Sequence, residues 1–146
     1  MGNGNMADLS ITSANVGVND ANVRTATIQA GEAITRGEPV YRDSTASNKA
    51  KSAIATATAS ATVYGIAITE ASADGDYIVV QTAGKIITGA SGLTQGQMYY
   101  LSDTAGGGKI CPFADLDSGD YVVGIYRATS ATEANIILEN SGITIA

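Results

Sequence analysis

The chain has 146 residues, enough for one domain with one sizeable core. Its net charge is −6 and it contains no run of Lys or Arg, which argues against a nucleic-acid partner. Histidine is absent from the sequence, which excludes Ser-His and Cys-His nucleophiles and the usual zinc sites.

The composition favours an all-β domain with a core of small and β-branched side chains. Hydrophobic residues make up 45 % of the chain but aromatic residues only 5 %, and the 17 glycines suit many tight turns between short strands. The lone Cys111 cannot form an intramolecular disulfide, and its neighbours Ile110 and Phe113 predict a small buried side chain.

Residues 1–22 are expected to form an N-terminal arm ahead of a single β domain at 23–146. The first residues have neither the basic region nor the apolar region of a signal peptide. No apolar run approaches the roughly 20 residues of a membrane span, so no membrane partner is expected. Leu9 and Ile11 alternate with polar residues, which predicts a short half-buried strand. A tail rich in Gly and Asn has little to order it, so we expect this arm to dock on a partner chain.

The first half of the domain reads as a series of short strands. Ala26, Ile28 and Ala30 alternate with polar residues, which predicts a strand with one buried face. Pro39 cannot donate a ladder hydrogen bond and therefore starts a strand or lies at a sheet edge. The predicted strands are Val23–Ala30, Glu38–Asp43, Lys49–Ala53, Val63–Ile68, Tyr77–Val80 and Lys85–Thr88, with an irregular or helical turn at Ile54–Ala61.

The second half repeats the plan of the first. At an offset of 59 residues, Ile34–Ala46 and Leu93–Ala105 share five identities in thirteen positions. Val63–Thr69 aligns with Val122–Ala128 at the same offset, and Tyr77–Thr88 aligns with Asn135–Ala146 at an offset of 58. Strands are therefore expected at Val122–Ile125, Ala134–Leu138 and Ile143–Ile145.

This repeat predicts an internal duplication with halves at roughly 34–88 and 93–146. Neither half can bury its apolar face alone, so the expected fold is an all-β sandwich or barrel of short antiparallel strands. Gly37 and Gly96 each follow a turn and are expected to adopt a positive φ. Gly84 and Gly142 are expected at a tight turn or bulge between paired strands.

The candidate sites for chemistry are few, and each has a simpler structural interpretation. Carboxylates recur at Asp74 and Asp76 and at Asp115, Asp117 and Asp120, but the spacing lacks the Gly and terminal Glu of a calcium loop, so solvated turns are expected. The segment Ala105–Lys109 lacks a phosphate-binding pattern and is predicted to be a flexible turn. Most of the tyrosines are expected to pack in the core or between sheets with their hydroxyls at the rim. We therefore expect no catalytic residue, no metal and no cofactor.

Three phrases in a fixed order carry a family resemblance. AGEAITRGEPVYRDS, then VYGIAITEASADGDYIVVQTAGKI, then LTQGQMYYLSDTAGGG resemble the head decoration (capsid cement) proteins of tailed bacteriophages. The resemblance covers roughly residues 29–107 and, less closely, the last strands, but not the arm.

The resemblance implies a β-sandwich or barrel that forms a homotrimer. It also implies a structural protein, made in the host cytoplasm, that binds the outer capsid surface and bridges subunits of the major capsid protein. Met6, Leu9 and Ile11 of the arm are then the candidates for partner contact, and the low-charge Ala/Thr segment, Ser44–Thr62, is a second candidate surface. A tail-fibre, baseplate or spike module is the alternative, and a carbohydrate-binding module is a weaker one.

Overall fold

The computed structural model describes residues 8–18 and 20–146, which fold into an almost all-β domain built on one curled antiparallel sheet. This confirms the predicted fold class. The strands are β1 Val16–Gly17, β2 Arg24–Gln29, β3 Pro39–Asp43, β4 Lys49–Ser52, β5 Gly65–Ala67, β6 Tyr77–Thr88, β7 Met98–Leu101, β8 Ile110–Pro112, β9 Tyr121–Ala128 and β10 Glu133–Thr144. Three single-turn 3₁₀ helices lie at Ser13–Asn15, Ser44–Ala46 and Phe113–Asp115.

The two halves of the chain pair their strands in the same way. The order across the sheet is β4-β3-β5-β6-β10-β9-β7-β8. From the centre outward, β6, β5, β3 and β4 of the first half therefore correspond to β10, β9, β7 and β8 of the second half. In the first half β2 pairs with β6, and in the second the later part of β6 pairs with β10. We call residues 24–83 the first unit and residues 84–144 the second unit.

Strand β6 belongs to both units. Its residues 77–83 pair with β2 and β5, whereas its residues 84–88 pair with β10 and β1. The change of partners occurs at Gly84, whose φ of 95° is open to glycine but rare for other residues. The sequence prediction of separate strands at Tyr77–Val80 and Lys85–Thr88 is therefore wrong, because Gly84 bends the strand without ending it.

The last strand repeats this behaviour. The segments predicted as separate strands at Ala134–Leu138 and Ile143–Ile145 are parts of the continuous strand β10. Gly142, with a φ of 72°, lies in a bulge where Ser141–Ile143 oppose the single residue Val122. The bulge prediction for Gly142 is thus confirmed.

The first unit curls until its outer strands meet. Ala30, just after β2, forms a parallel bridge with Ala50 of β4, and the Gly31 amide donates to the Ala50 carbonyl over 2.8 Å. Ala30 and Ala50 are both fully buried at this contact, where a larger side chain would keep the strands apart. The small residues of the sequence therefore allow the sheet to close on itself.

Two hydrophobic clusters fill the curled sheet. The smaller cluster lies within the first unit and consists of Ala30, Ile34, Val40, Ala50, Ala67, Ala71, Ile78 and Val80. The larger cluster joins the two units and includes Ile66, Ile86, Tyr99, Leu101, Ile125 and Tyr126. The predicted dominance of Ala, Val and Ile is confirmed, with buried leucines and tyrosines added in the second unit. The predicted contribution of Thr to the core is wrong, since Thr88 is the only buried threonine among the described residues.

No helix among residues 8–18 and 20–146 has both the length and the apolar character needed to cross a bilayer.

Candidate interaction surfaces and acidic site

The N-terminal segment lies along the domain from residue 8 onward. The Leu9 amide donates to the Ile110 carbonyl over 2.8 Å, and the Thr12 amide donates to the Gly89 carbonyl over 2.9 Å. Leu9 and Ile11 are half-buried, as predicted, but the backbone around them forms no regular strand. Two isolated hydrogen bonds do not make a ladder. The alternating pattern therefore predicted the burial of Leu9 and Ile11 correctly, but the predicted strand is wrong.

Ile11 fits a socket built from glycines. A Cβ atom added at Gly37 or at Gly89 would come within 2.9 Å of Ile11 Cγ2, and both glycines have a positive φ. Leu9 and Ile11 therefore pack partly against the chain's own core. Contact of Leu9 and Ile11 with a partner stays a prediction, and it would use the parts of these two half-buried side chains that remain exposed. Met6, the third predicted contact residue, lies outside the described residues.

Two glutamates meet at one serine beside this segment. The Ser52 hydroxyl donates to Glu38 over 2.8 Å, and the Ser52 amide donates to Glu32 over 2.7 Å. Burial raises the pKa of Glu38 above its usual value, against the lowering effect of the Ser52 hydroxyl. Glu38 and Lys109 also line a small cleft under Leu9 and Ile11. These contacts fasten β3 and β4 to the turns around them.

Three carboxylates converge at the edge of the second unit. Asp103 follows β7, while Asp117 and Asp120 lie in the turn before β9, and one oxygen of each lies within 4.8 Å of the others. Asp120 is 94 % buried and accepts a hydrogen bond from the Asp117 amide over 2.8 Å. Carboxylate oxygens suit hard cations such as Ca²⁺, which takes six to eight oxygen ligands. Three side chains supply only part of such a set.

Further carboxylates surround this group. Asp8 accepts hydrogen bonds from the hydroxyls of Ser102 and Thr104, each over 2.6 Å. Hydrogen bonding with Asp120, followed by burial, raises the pKa of Asp103 above its usual value. Burial, followed by the charges of Asp8 and Asp103, raises the pKa of Asp115. The carboxyl groups of Asp103 and Asp115 therefore hold their protons more tightly than isolated aspartates do.

The sequence identified this site only in part. It grouped Asp115 with Asp117 and Asp120, whereas the metal-ligand geometry groups Asp103 with the latter two. Asp103 is distant in sequence and comes close because β7 pairs with β9. Among the other predicted carboxylates, Asp74 forms an ion pair with Lys49 over 2.9 Å. Asp76 accepts hydrogen bonds from the Ser72 hydroxyl and amide, as expected for a structural turn.

The glycine-rich segment Ala105–Lys109 packs against β4. A Cβ atom at Gly107 would approach the Ser52 carbonyl oxygen to 2.8 Å, and the Gly108 amide donates to the Ala53 carbonyl over 2.7 Å. The glycines thus permit backbone-to-backbone contact. The predicted turn is present, but it is fastened to the domain by these contacts.

Buried tyrosines and Cys111 have structural roles. Tyr99 and Tyr126 pack edge to face with ring centroids 6.4 Å apart, and both are at most 3 % exposed. Cys111 is fully buried, as predicted, and desolvation raises its pKa to about 12. A thiol with such a pKa stays protonated at neutral pH and is a poor nucleophile. Tyr77 departs from the predicted packing, since it is 67 % exposed.

The Ala/Thr segment is partly core and partly surface. Ala53, Ala55 and Ala61 are buried, while residues 56–59 are exposed. The Ala61 amide donates to the Ala57 carbonyl over 2.9 Å, which is the predicted helical turn. The exposed parts of this second candidate surface therefore include the turn at 56–59 and residues near its start, Ser44, Thr45, Ser47 and Asn48.

Exposed large apolar side chains supply surface features that the sequence analysis did not identify. The described residues of this class are Val18, Tyr77, Phe113, Ile137 and Ile143. Ile137 and Ile143 both lie on β10, and Ile143 is 65 % exposed. In the alignment at an offset of 58 residues, Ile143 corresponds to the charged Lys85, which is a signal in the sequence that this position faces solvent.

Comparison with known proteins gave no relative: no protein-family model, no curated protein and no solved structure matches the chain.

Proposed function

We propose that this protein is a capsid decoration protein, which binds the outer surface of an assembled bacteriophage head and bridges neighbouring subunits of the major capsid protein. The observation that carries the proposal is the ordered set of three phrases at residues 30–44, 63–86 and 93–108 that resembles this family. In the proposal the protein is a structural component of the virion and has no enzymatic role. Its partners are the capsid protein and further copies of itself, as a trimer.

The arrangement of the domain supports a binding role. The buried Cys111 and Tyr126 are held in protonated forms by desolvation, and the turn carboxylates Asp74 and Asp76 are engaged in structural contacts. The surface is poor in charge, since only 15 % of the residues are Asp, Glu, Lys or Arg. A surface of this composition favours broad contact with another protein over capture of a charged small molecule.

The mechanism of stabilisation is mass action. A protein that binds the assembled shell and not its separated subunits stabilises the shell by its own binding free energy. One site contributes about 2.7 kcal/mol when the free protein is at about 100 times its dissociation constant. Symmetry repeats each contact over the shell, so modest individual affinities add up to a large resistance against internal pressure.

The test mixes the purified full chain with phage shells that lack it. We expect the protein to co-sediment with expanded shells and to raise the temperature and osmotic shock at which they rupture. Unexpanded shells and dissociated capsid protein are the controls and should bind less. No binding and no gain in resistance would overturn the proposal, and binding to isolated tails instead would favour the tail-fibre or baseplate alternative.

A pair of variants tests the predicted contact residues. Met6→Ser should weaken shell binding without a change in the melting temperature of the free protein, if Met6 serves only the partner. Leu9→Ser should affect both quantities, because Leu9 packs on the core. Equal shell binding by the wild type and Met6→Ser would remove Met6 from the interface.

A further inference from the structure

The end of the last strand is exposed to solvent, while the β9 segment paired with it is partly buried in the core. Glu139–Thr144 of β10 pair on one edge with Tyr121–Gly124 of β9, and we call these two segments the β9–β10 ribbon. Every residue from Glu139 to Thr144 is exposed. Within residues 8–18 and 20–146, no strand pairs with the other edge of Glu139–Thr144. The Asn140 side chain reaches the backbone of Val63 with two hydrogen bonds, which anchors the base of the ribbon.

The equivalent stretch of β6 is covered. At the offset of 58, Glu139–Ala146 corresponds to Gln81–Thr88 of β6, where Gln81 and Ile86 are fully buried. A Cβ atom at Gly84 would lie 2.9 Å from the Val23 Cα atom, whereas one at Gly142 would have no atom within 4 Å. A glycine with a positive φ is thus closely packed in β6 and has open space around it in β10.

The cover of β6 comes from elements of this same chain. Residues 84–88 pair with the last strand of the second unit on one edge and with β1 on the other. The end of β6 is therefore paired along both edges, whereas among the described residues the equivalent end of β10 is paired with β9 alone. This equivalence points to another copy of the chain as the partner that fits the ribbon.

The ribbon has an ordered apolar projection. The Ser141 hydroxyl donates to the Val122 carbonyl and accepts a hydrogen bond from the Ile143 amide, which fixes the bulge. Bulges re-aim side chains, and here the bulge leaves Ile143 65 % exposed. Natural edge strands are commonly protected by Lys or Pro, yet residues 137–146 contain neither and carry Glu139 as their single charged side chain.

We propose that the β9–β10 ribbon is the surface through which one copy of this chain binds a second copy, with Ile143 as its central contact. The second copy covers the free edge of Glu139–Thr144, as β1 and β10 cover the edges of the equivalent part of β6. This inference rests on the proposed self-association and is independent of shell binding. It predicts that apolar contact at Ile143, and not charge, holds the copies together.

The test compares two aspartate substitutions at similarly exposed apolar positions. Ile143→Asp should raise the dissociation constant of the oligomer by at least about tenfold, as loss of a central contact does. Tyr77→Asp is the matched control, since Tyr77 is 67 % exposed in the first unit, and it should leave the constant unchanged. Light scattering and sedimentation velocity over a range of concentrations give the mass, and circular dichroism verifies folding.

A second measurement covers the case in which Ile143→Asp fails to fold. The full chain with Ile143→Cys should react with a maleimide progressively more slowly as protein concentration rises, whereas Tyr77→Cys should react at a constant rate. The native Cys111 is fully buried and does not compete. This readout holds whether the copies meet by a two-fold axis or head to tail.

Three outcomes would overturn the inference. They are a monomeric wild type at all concentrations, an oligomer unaffected by Ile143→Asp, and a Cys at position 143 whose reaction rate ignores concentration. Shell co-sedimentation of Ile143→Asp separates this inference from the proposed function. If the wild type is monomeric and Ile143→Asp abolishes shell binding, the ribbon faces the shell and the self-association is refuted while the decoration role stands.

Discussion

The two units share one pairing pattern but differ in the loop that precedes β5 in the first unit and β9 in the second. The first unit has the uncharged Ile54–Thr62 there, and the second has the acidic Phe113–Tyr121, which is its counterpart at the offset of 59. These loops lie against each other, since the Tyr121 amide donates to the Ala55 carbonyl over 2.8 Å. The comparison shows that the two units share their strand architecture but not the charge of this loop, since only the loop of the second unit carries aspartates.

The largest expected effect tests whether the two units are equivalent in their cores. Ile66 and Ile125 correspond at the offset of 59, and both are fully buried in the larger cluster. Ile66→Ala and Ile125→Ala should each lower the free energy of unfolding by about 3 kcal/mol, from lost transfer energy and the cavity left behind. Urea denaturation followed by circular dichroism measures both.

Thr27→Ala on the exposed side of β2 is the control for this pair, and it should change the free energy of unfolding by less than about 0.5 kcal/mol. A single transition for all variants would show that the units unfold together. Two separated transitions, each moved by only one of the isoleucine variants, would contradict the shared core.

The next largest effect is the difference in stability loss between substitutions at the closely packed Gly84 and at the exposed Gly142. Gly84→Ala should destabilise the protein by about 2–3 kcal/mol, because a φ of 95° strains an L-residue and the new Cβ would meet Val23. Gly142→Ala should cost about 1 kcal/mol, since it has the positive φ but open space around it. Thermal and urea unfolding of both variants measure the difference, and equal losses would contradict the close packing at Gly84.

Local patterns predicted much of the fold because they depend on neighbouring residues. The alternation of Ala26, Ile28 and Ala30 identified β2, and the turn positions of Gly37 and Gly96 have the positive φ expected of them. The offset alignment identified equivalent strands without any knowledge of their pairing. The continuity of β6 through Gly84 was missed, because a glycine at which a strand changes its pairing partners and a glycine at which a strand ends look alike in sequence.

The candidate surfaces were less accessible to sequence analysis because long-range pairing assembles them. Asp103 reaches Asp117 and Asp120 through the pairing of β7 with β9, and no local spacing records that contact. The socket for Ile11 is made by Gly37 and Gly89, which belong to different units. The alternation around Leu9 could indicate burial, but only the fold shows that the covering partner lies within the chain.

Asp103 of the acidic site gives a pH dependence of stability opposite in sign to that of Asp76, which lies in a turn of the first unit. The pKa of Asp103 is raised above 3.8, first by its hydrogen bond with Asp120, so the folded state binds this proton more tightly. Its contribution to stability is present below pH 3.8 and is lost as pH rises through the higher folded-state pKa. Asp103→Asn should therefore stabilise the protein at neutral pH, by less than about 1 kcal/mol since solvent screens the site.

Asp76→Asn is the matched variant. The Ser72 hydroxyl, followed by the amides of Ser72 and Ala73, lowers the pKa of Asp76, so its contribution is present above pH 3.8 and is lost as pH falls through the lower folded-state pKa. Asp76→Asn should thus destabilise the protein at neutral pH. Urea midpoints from pH 3 to pH 7 measure both variants, and a loss of stability by Asp103→Asn at neutral pH would contradict the crowding of carboxylates.

The smallest effect tests the contact between the two equivalent loops. The hydroxyls of Tyr121 and Thr58 are 2.8 Å apart and form an exposed hydrogen bond between the acidic loop and the Ala/Thr segment. Tyr121→Phe removes this bond but keeps the backbone hydrogen bond to Ala55, so the free energy of unfolding should fall by about 0.5 kcal/mol. Tyr77→Phe is the control, because the described residues offer its exposed hydroxyl no hydrogen bond, and it should leave stability unchanged. A double-mutant cycle with Thr58→Val isolates the coupling, and a coupling energy of zero would mean that backbone and core contacts alone hold the two loops together.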